Sequence, residues 1–181
     1  MRRIDERVAI RSTVRKIDRM IAEAAEVADP EMSYLAETSG FRGLMESIRT
    51  QLKEAARLMD ADALMGVRFH TGRARQLAKA ALLRVDEAAS KVAETGGVAE
   101  PKPREYGDAA ECRAELATRI GDDVKFKTGP LEMAIEDLAA ACRRGDMDGA
   151  VRLVRRALAI AKDLYGYTVE LNELAERAAR A

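Results

Sequence analysis

The chain has 181 residues, with 31 Lys or Arg balanced by 31 Asp or Glu, and a single histidine. That length can bury one substantial core, or two small helical units sharing an interface. Charged residues make up 34% of the chain yet cancel to a formal net charge of +0, which argues against a protein that coats nucleic acid along its length, so any basic site must be local. Aromatic residues amount to 4%, Trp is absent and Ala dominates the apolar positions. An Ala-lined core brings helix axes close together but removes little area from water per residue, at ~25 cal/mol per Å², so part of the stability is expected from association.

The first predicted helix spans residues 3–28. Ile10, Val14, Ile17, Ile21, Ala24 and Ala28 alternate steps of four and three, a heptad-like seam suited to packing on another helix. Arg3, Arg7, Arg11, Arg15 and Arg19 climb the same segment four residues apart. Each step advances about 40° around the helix, so the five guanidinium groups form a slowly rotating stripe. Charge divides sharply here: residues 1–20 hold seven bases and three acids, whereas residues 21–40 hold five acids (Glu23, Glu26, Asp29, Glu31, Glu37) and no base. The stripe therefore reads as one half of a charge-complementary contact, its partner an acidic protein surface or the acidic segment of a neighbouring copy. An ordinary solvated helix face has the same composition.

Asp29 and Pro30 end the first helix and open a short one through Tyr34 and Leu35. Between residues 41 and 59, Met45, Ile48, Leu52, Ala55 and Met59 give another seam. A third series continues from Leu64 through Val67, Thr71, Ala74, Ala78, Ala81 and Val85 to Val92. Gly66 and Gly72 each cost ~1 kcal/mol relative to Ala inside a helix, so this series is either one very long helix or a helix that begins after Gly72.

Thr95-Gly96-Gly97 is a helix stop, and residues 96–107, with Pro101 and Pro103, read as a linker between an N-terminal bundle (1–95) and a C-terminal helical region (108–181) that packs on the first or stands beside it. Asp108 and Glu111 match a capping box and open a helix with Cys112, Leu116 and Ile120 on one face. Residues 121–130 are the least helical stretch, since Val124, Phe126 and Thr128 alternate with Lys125 and Lys127 in the manner of a short extended segment. Helix resumes at Pro130, Arg143-Arg144-Gly145-Asp146 forms a tight corner, the next helix runs until Gly166, and a last one carries Val169, Leu174 and Ala178. Residues 138–166 resemble one hairpin of a tetratricopeptide-like array, but no period recurs elsewhere, so a solenoid is not expected.

A second basic group comprises Arg68, Arg73 and Arg75, with Phe69 and His70 among them. With the N-terminal stripe it supports an alternative reading as a nucleic-acid-associated protein, weakened by the scarcity of aromatic stacking platforms. The pair His70 and Arg73 resembles histidine phosphotransfer modules, which implies His70 as a phosphoacceptor offset by a nearby cation. This sequence departs from their pattern, because its small residue, Gly72, precedes the base rather than following the pair.

No metal site and no cofactor are expected: one His cannot supply the paired Glu-x-x-His motifs of a di-iron bundle or a zinc set. No phosphate loop, nucleophile elbow or dinucleotide fingerprint occurs. Cys112 and Cys142 fall at apolar helical positions and read as reduced core thiols. No run approaches the ~20 apolar residues of a membrane span, and no apolar leader opens the chain, so a cytoplasmic location is expected. The sequence thus predicts an all-α bundle of long antiparallel helices with a C-terminal helical hairpin, acting as a non-enzymatic interaction or assembly protein. Its expected partners are another copy of itself, in a homo-oligomer, or an acidic protein.

Overall fold

A computed structural model describes residues 41–92, 98–102, 104–120 and 124–180; the first predicted helix, with Arg7, Arg11, Arg15 and Arg19, lies outside the described residues. Five helices and no strand occur among the described residues: α1 (Phe41–Asp60), α2 (Leu64–Val92), α3 (Ala109–Arg119), α4 (Val124–Arg144) and α5 (Met147–Ala178). The fold is all-α. Helix α1 packs on α2 and α4, and both of those pack on α5, so four long helices close a ring in the order α1, α2, α5, α4, while α3 lies along α5.

Two tight corners create this arrangement. After α1, Ala63 N–H donates to the Leu58 carbonyl at 2.9 Å and Asp62 N–H to Met59 at 3.1 Å, with Asp62 at φ 58. This is a Schellman stop in which an aspartate occupies the left-handed position that glycine usually takes. After α4 the same device recurs with its customary residue: Gly145 has φ 75 and Asp146 N–H donates to the Ala141 carbonyl at 3.0 Å. Asp146 then caps α5 by accepting from Gly149 N–H at 2.9 Å. A Cβ on Gly149 would overlap that carboxylate, so the small residue makes room for the cap. The capping box of α3 forms as expected, with Glu111 N–H donating to Asp108 and Asp108 N–H to Glu111.

The core seams match the spacing. Met45, Ile48, Leu52 and Ala55 of α1 are fully buried, facing Val67, Ala74, Ala78, Ala81 and Val85 of α2, and α5 adds Tyr165, Leu171 and Leu174. Buried hydroxyls are returned to their own helices, with Ser47 donating to the Gly43 carbonyl, Thr71 to Val67 and Thr168 to Tyr165.

One open alternative is decided and two expectations change. Helix α2 begins at Leu64, with Gly66 and Gly72 inside it. A Cβ on Gly66 would come 2.6 Å from Leu58 Cδ1, so the glycine lets α1 and α2 approach closely, and that packing outweighs the propensity cost. Residues 124–130 are helical rather than extended, and Pro130 lies inside α4. At the seventh position of a helix a proline forfeits one backbone bond and crowds the carbonyl four residues earlier, a cost offset by tertiary contacts at this end, where Arg49 of α1 donates to Thr128 Oγ1 at 3.1 Å and Glu132 at 3.0 Å. Gly166 does not end a helix, because α5 runs through it for 32 residues, held by buried Tyr165, Tyr167 and Thr168 around it. Cys112 is buried, as its spacing predicts; Cys142 lies on α4 with its side chain outside the described set.

Candidate docking surface on helix α2

A helix of 29 residues at 3.6 per turn can offer two opposite lines. The inner line of α2, Val67, Thr71, Ala74, Ala78, Ala81 and Val85, is buried. Met65, Phe69, Gln76 and Leu83 follow one another at steps of four, seven and seven on the opposite side, and all four are exposed. Met65 is 65% exposed, Phe69 54% and Leu83 43%; the other large apolar side chain exposed to that degree among the described residues is Met133 of α4, at 64%. The outer line runs about 27 Å from Met65 to Leu83 at 1.5 Å per residue. It has the spacing of a second packing seam.

The electrostatics of this ledge are one-sided. From Leu64 to Val85 the helix carries Arg68, Arg73, Arg75, Lys79 and Arg84 and no acid, until Asp86. Two of these are engaged beside α5: Arg75 donates to Asn172 Oδ1 at 3.4 Å, and Lys79 Nζ lies 2.7 Å from Glu100, which also accepts from the Tyr165 hydroxyl at 2.8 Å. Arg68 is exposed, and its carbonyl accepts from Asn172 Nδ2 at 3.4 Å. Arg73 lies over the Phe69 ring, 4.4 Å from its centroid. The basic group read from the sequence therefore divides: Arg68 and Arg73 flank the ledge, whereas Arg75 turns to α5.

His70 sits on the α1 side of α2. Its Nδ1 lies 2.6 Å from Gln51 Oε1, a hydrogen bond in the tautomer that carries the proton on Nδ1. Burial holds the imidazole below its usual pKa, the Glu54 carboxylate opposes that shift, and Arg73 and Arg57 reinforce it. Glu54 is itself gripped by Arg57 through two guanidinium nitrogens.

On the far side, residues 98–102 and 104–107 are strapped down. Glu100 joins α2 to α5 as above, and Tyr106 donates to Glu173 at 2.7 Å beneath Arg177, 4.9 Å from its ring centroid. Burial, with Glu173 as acceptor, pushes the Tyr106 phenol up. Arg104, Glu173, Glu176, Arg177 and Arg180 surround a shallow recess of about 210 Å³ here, lined by charges of both signs. The Cys112 thiol is pushed up by burial and faces the Gly107 carbonyl at 3.5 Å, an inert setting for a nucleophile. Among the described residues no three His, Cys, Asp or Glu side chains gather as a metal site, and no helix is long and apolar enough to cross a membrane.

Comparison with protein-family models, curated proteins and solved structures finds no match to this chain. The ledge was legible only in part. Phe69 draws notice among its arginines, but Met65 and Leu83 do not, because a search for one apolar seam per helix stops at the inner line. Their signal is the second heptad spacing, offset by about half a turn.

Proposed function

We propose that this chain is a non-enzymatic interaction and assembly protein, and that the α2 ledge is where an acidic helical surface docks. The observation that carries the reading is the line Met65, Phe69 and Leu83, exposed along a helix segment with five bases and no acid. An isolated exposed Leu needs no explanation, whereas aligned large apolar groups at heptad steps suit a helix laid against them. The flanking Arg68 and Arg73 select for carboxylates on that helix. The N-terminal arginine stripe, Arg7, Arg11, Arg15 and Arg19, serves the same role of contacting acidic protein.

Methionine oxidation tests this reading with an internal control. Met65 on the ledge and Met133 on α4 are equally exposed in the single chain, at 65% and 64%. In native cell extract, an occupied ledge makes Met65 oxidise several-fold more slowly than Met133. Equal rates there would leave the ledge bare and overturn the reading.

A second reading, nucleic-acid association, is favoured by the exposed Phe69 ring beside Arg68 and Arg73, a single stacking platform with two phosphate-seeking groups. It predicts binding to a single-stranded oligonucleotide that falls steeply as salt rises and is lost in Arg68→Glu/Arg73→Glu. Absence of salt-sensitive binding removes it.

A further inference from the structure

We infer that Arg152, Arg155 and Arg156, on the outer face of α5, are the docking site for this chain's own acidic segment, residues 23–37. The contact is independent of the α2 ledge. Unanswered charge, its complement in the sequence and reach carry it.

Elsewhere in the bundle arginines find carboxylates: Arg42 reaches Glu132, Arg57 Glu54, Arg113 Asp62 and Arg119 Glu170. Arg152, Arg155 and Arg156, with Arg144 at the corner before them, are exposed, and their side chains make no ion pair or hydrogen bond among the described residues. Residues 152, 155 and 156 fall within about 100° of helix, opposite the buried Ala150, Val154, Ala157 and Ala161. Like charges one turn apart repel, and from Arg152 to Lys162 α5 holds no acid to relieve them. The exposed acids nearest in the chain, Asp148 and Asp163 of α5 and Glu136 and Asp137 of α4, pair with none of the four. Farther along, the outer side of α5 is covered where Tyr106 meets Glu173 and Arg119 meets Glu170, whereas the arginine turns are bare.

The complement lies in the 40 residues that precede Phe41. Between Arg19 and Arg42 the chain carries Glu23, Glu26, Asp29, Glu31 and Glu37 and no base, the longest run without a base in the sequence. The exposed apolar side chain among the α5 arginines is Ala159, so this face holds its occupant through charge and not through a seam. Guanidinium forks take carboxylates bidentately, and such a contact demands carboxylates within reach rather than a fixed helical register. The tether keeps the local concentration of those carboxylates high.

Reach selects this patch over the bases of α2. Leu58 opposes Gly66 and Gln51 opposes His70, so α1 runs antiparallel to α2. Asn172 opposes Gly72, and Tyr165 shares Glu100 with Lys79, so α5 runs antiparallel to α2 as well. The N-terminal ends of α1 and α5 therefore lie at one end of the bundle. Counting back from Leu58, Phe41 comes level with about residue 83 of α2; counting back from Asn172, Arg155 comes level with about residue 89. The arginines thus stand about 9 Å beyond Phe41, on the side from which the preceding chain arrives. Arg68 and Arg73 lie toward the opposite end. Because α5 sits diagonally across the ring from α1, the path from Phe41 to its outer face is roughly 25 Å. Fully extended, the chain carries Asp29 about 40 Å from Phe41; fully helical, it still carries Glu23 about 27 Å. The contact closes within one chain whatever conformation the connector takes.

The test uses the purified full chain and the rate at which phenylglyoxal modifies each arginine, read by peptide mass spectrometry with the exposed Arg68 as internal reference. In the parent, Arg152, Arg155 and Arg156 should react several-fold more slowly at low salt than at high salt, while Arg68 changes little. This comparison needs no variant. Glu23→Gln/Glu26→Gln/Asp29→Asn/Glu31→Gln/Glu37→Gln should abolish the protection at low salt and leave the helical circular dichroism unchanged. Arginines on α5 as reactive as Arg68 at low salt would overturn the inference. Protection that persists in the neutralised variant would assign the face to another occupant. Protection that disappears on dilution would move the contact between copies and overturn docking within one chain.

Discussion

The guanidinium carbon of Arg73 sits 4.4 Å from the centroid of the Phe69 ring, and that ring stands nearly perpendicular to the His70 imidazole at 5.1 Å. An exposed aromatic group would otherwise sample several rotamers. Stacking between a cation and a neighbouring ring narrows that choice and lowers the entropy lost when a partner lands on it. A double-mutant cycle of Arg73→Ala and Phe69→Ala, read by urea unfolding, should give a coupling of about 0.5–1 kcal/mol. A coupling indistinguishable from zero would show that the stack does not order the ring.

Neighbouring leucines separate the two faces of α2. Leu82 is 1% exposed and Leu83 43%. Leu82→Ala opens a cavity in the core and should cost about 2–5 kcal/mol. Leu83→Ala, measured at concentrations low enough to exclude association, should stay within about 0.5 kcal/mol of the parent. Equal losses would place Leu83 in the core of the single chain.

His70 makes stability depend on pH in a definite direction. Its folded pKa lies below the unfolded value, so the unfolded chain takes up the proton first as pH falls. The stabilisation is complete above the unfolded value of about 6.5 and is lost as pH falls through the folded one. The urea midpoint should therefore drop as pH is lowered from 7 toward 5, and His70→Gln should flatten that slope, there being no other histidine in the chain. An imidazole titrating at or above 6.5 by NMR would contradict this.

Gly166 lies inside α5 and, beyond its own turn of helix, no atom of the described residues comes within 4 Å of where a Cβ would stand. Gly166→Ala should stabilise the protein by about 0.5–1 kcal/mol, since alanine restricts the unfolded chain and meets no obstacle in the folded one. A decrease in the unfolding midpoint would show that the glycine serves a contact made outside the single chain.

Periodicity identified the helices where apolar spacing was regular, as in α1, and local chemistry identified the corners, as with Asp108 and Gly145. It failed where packing overrode local preference. Gly66 reads as a breaker until Leu58 is seen against it, Gly166 reads as a stop until the tyrosines beside it prove buried, and Pro130 reads as a helix start although α4 begins six residues earlier. The ledge suffered from a different ambiguity. Exposed and buried apolar residues look alike in sequence, and only the placement of α1 and α5 decides which of the two seams of α2 is left over.

Helix α5 touches α2, α3 and α4, and it is the last of the five to be synthesised. Until it leaves the ribosome, α2 and α4 share only α1, and the apolar faces they turn to α5 stay open. The nascent chain must therefore hold those faces in water, or under a chaperone, until α5 is complete. Closure of the bundle is for this reason coupled to the synthesis of α5 rather than a progressive accretion of helices.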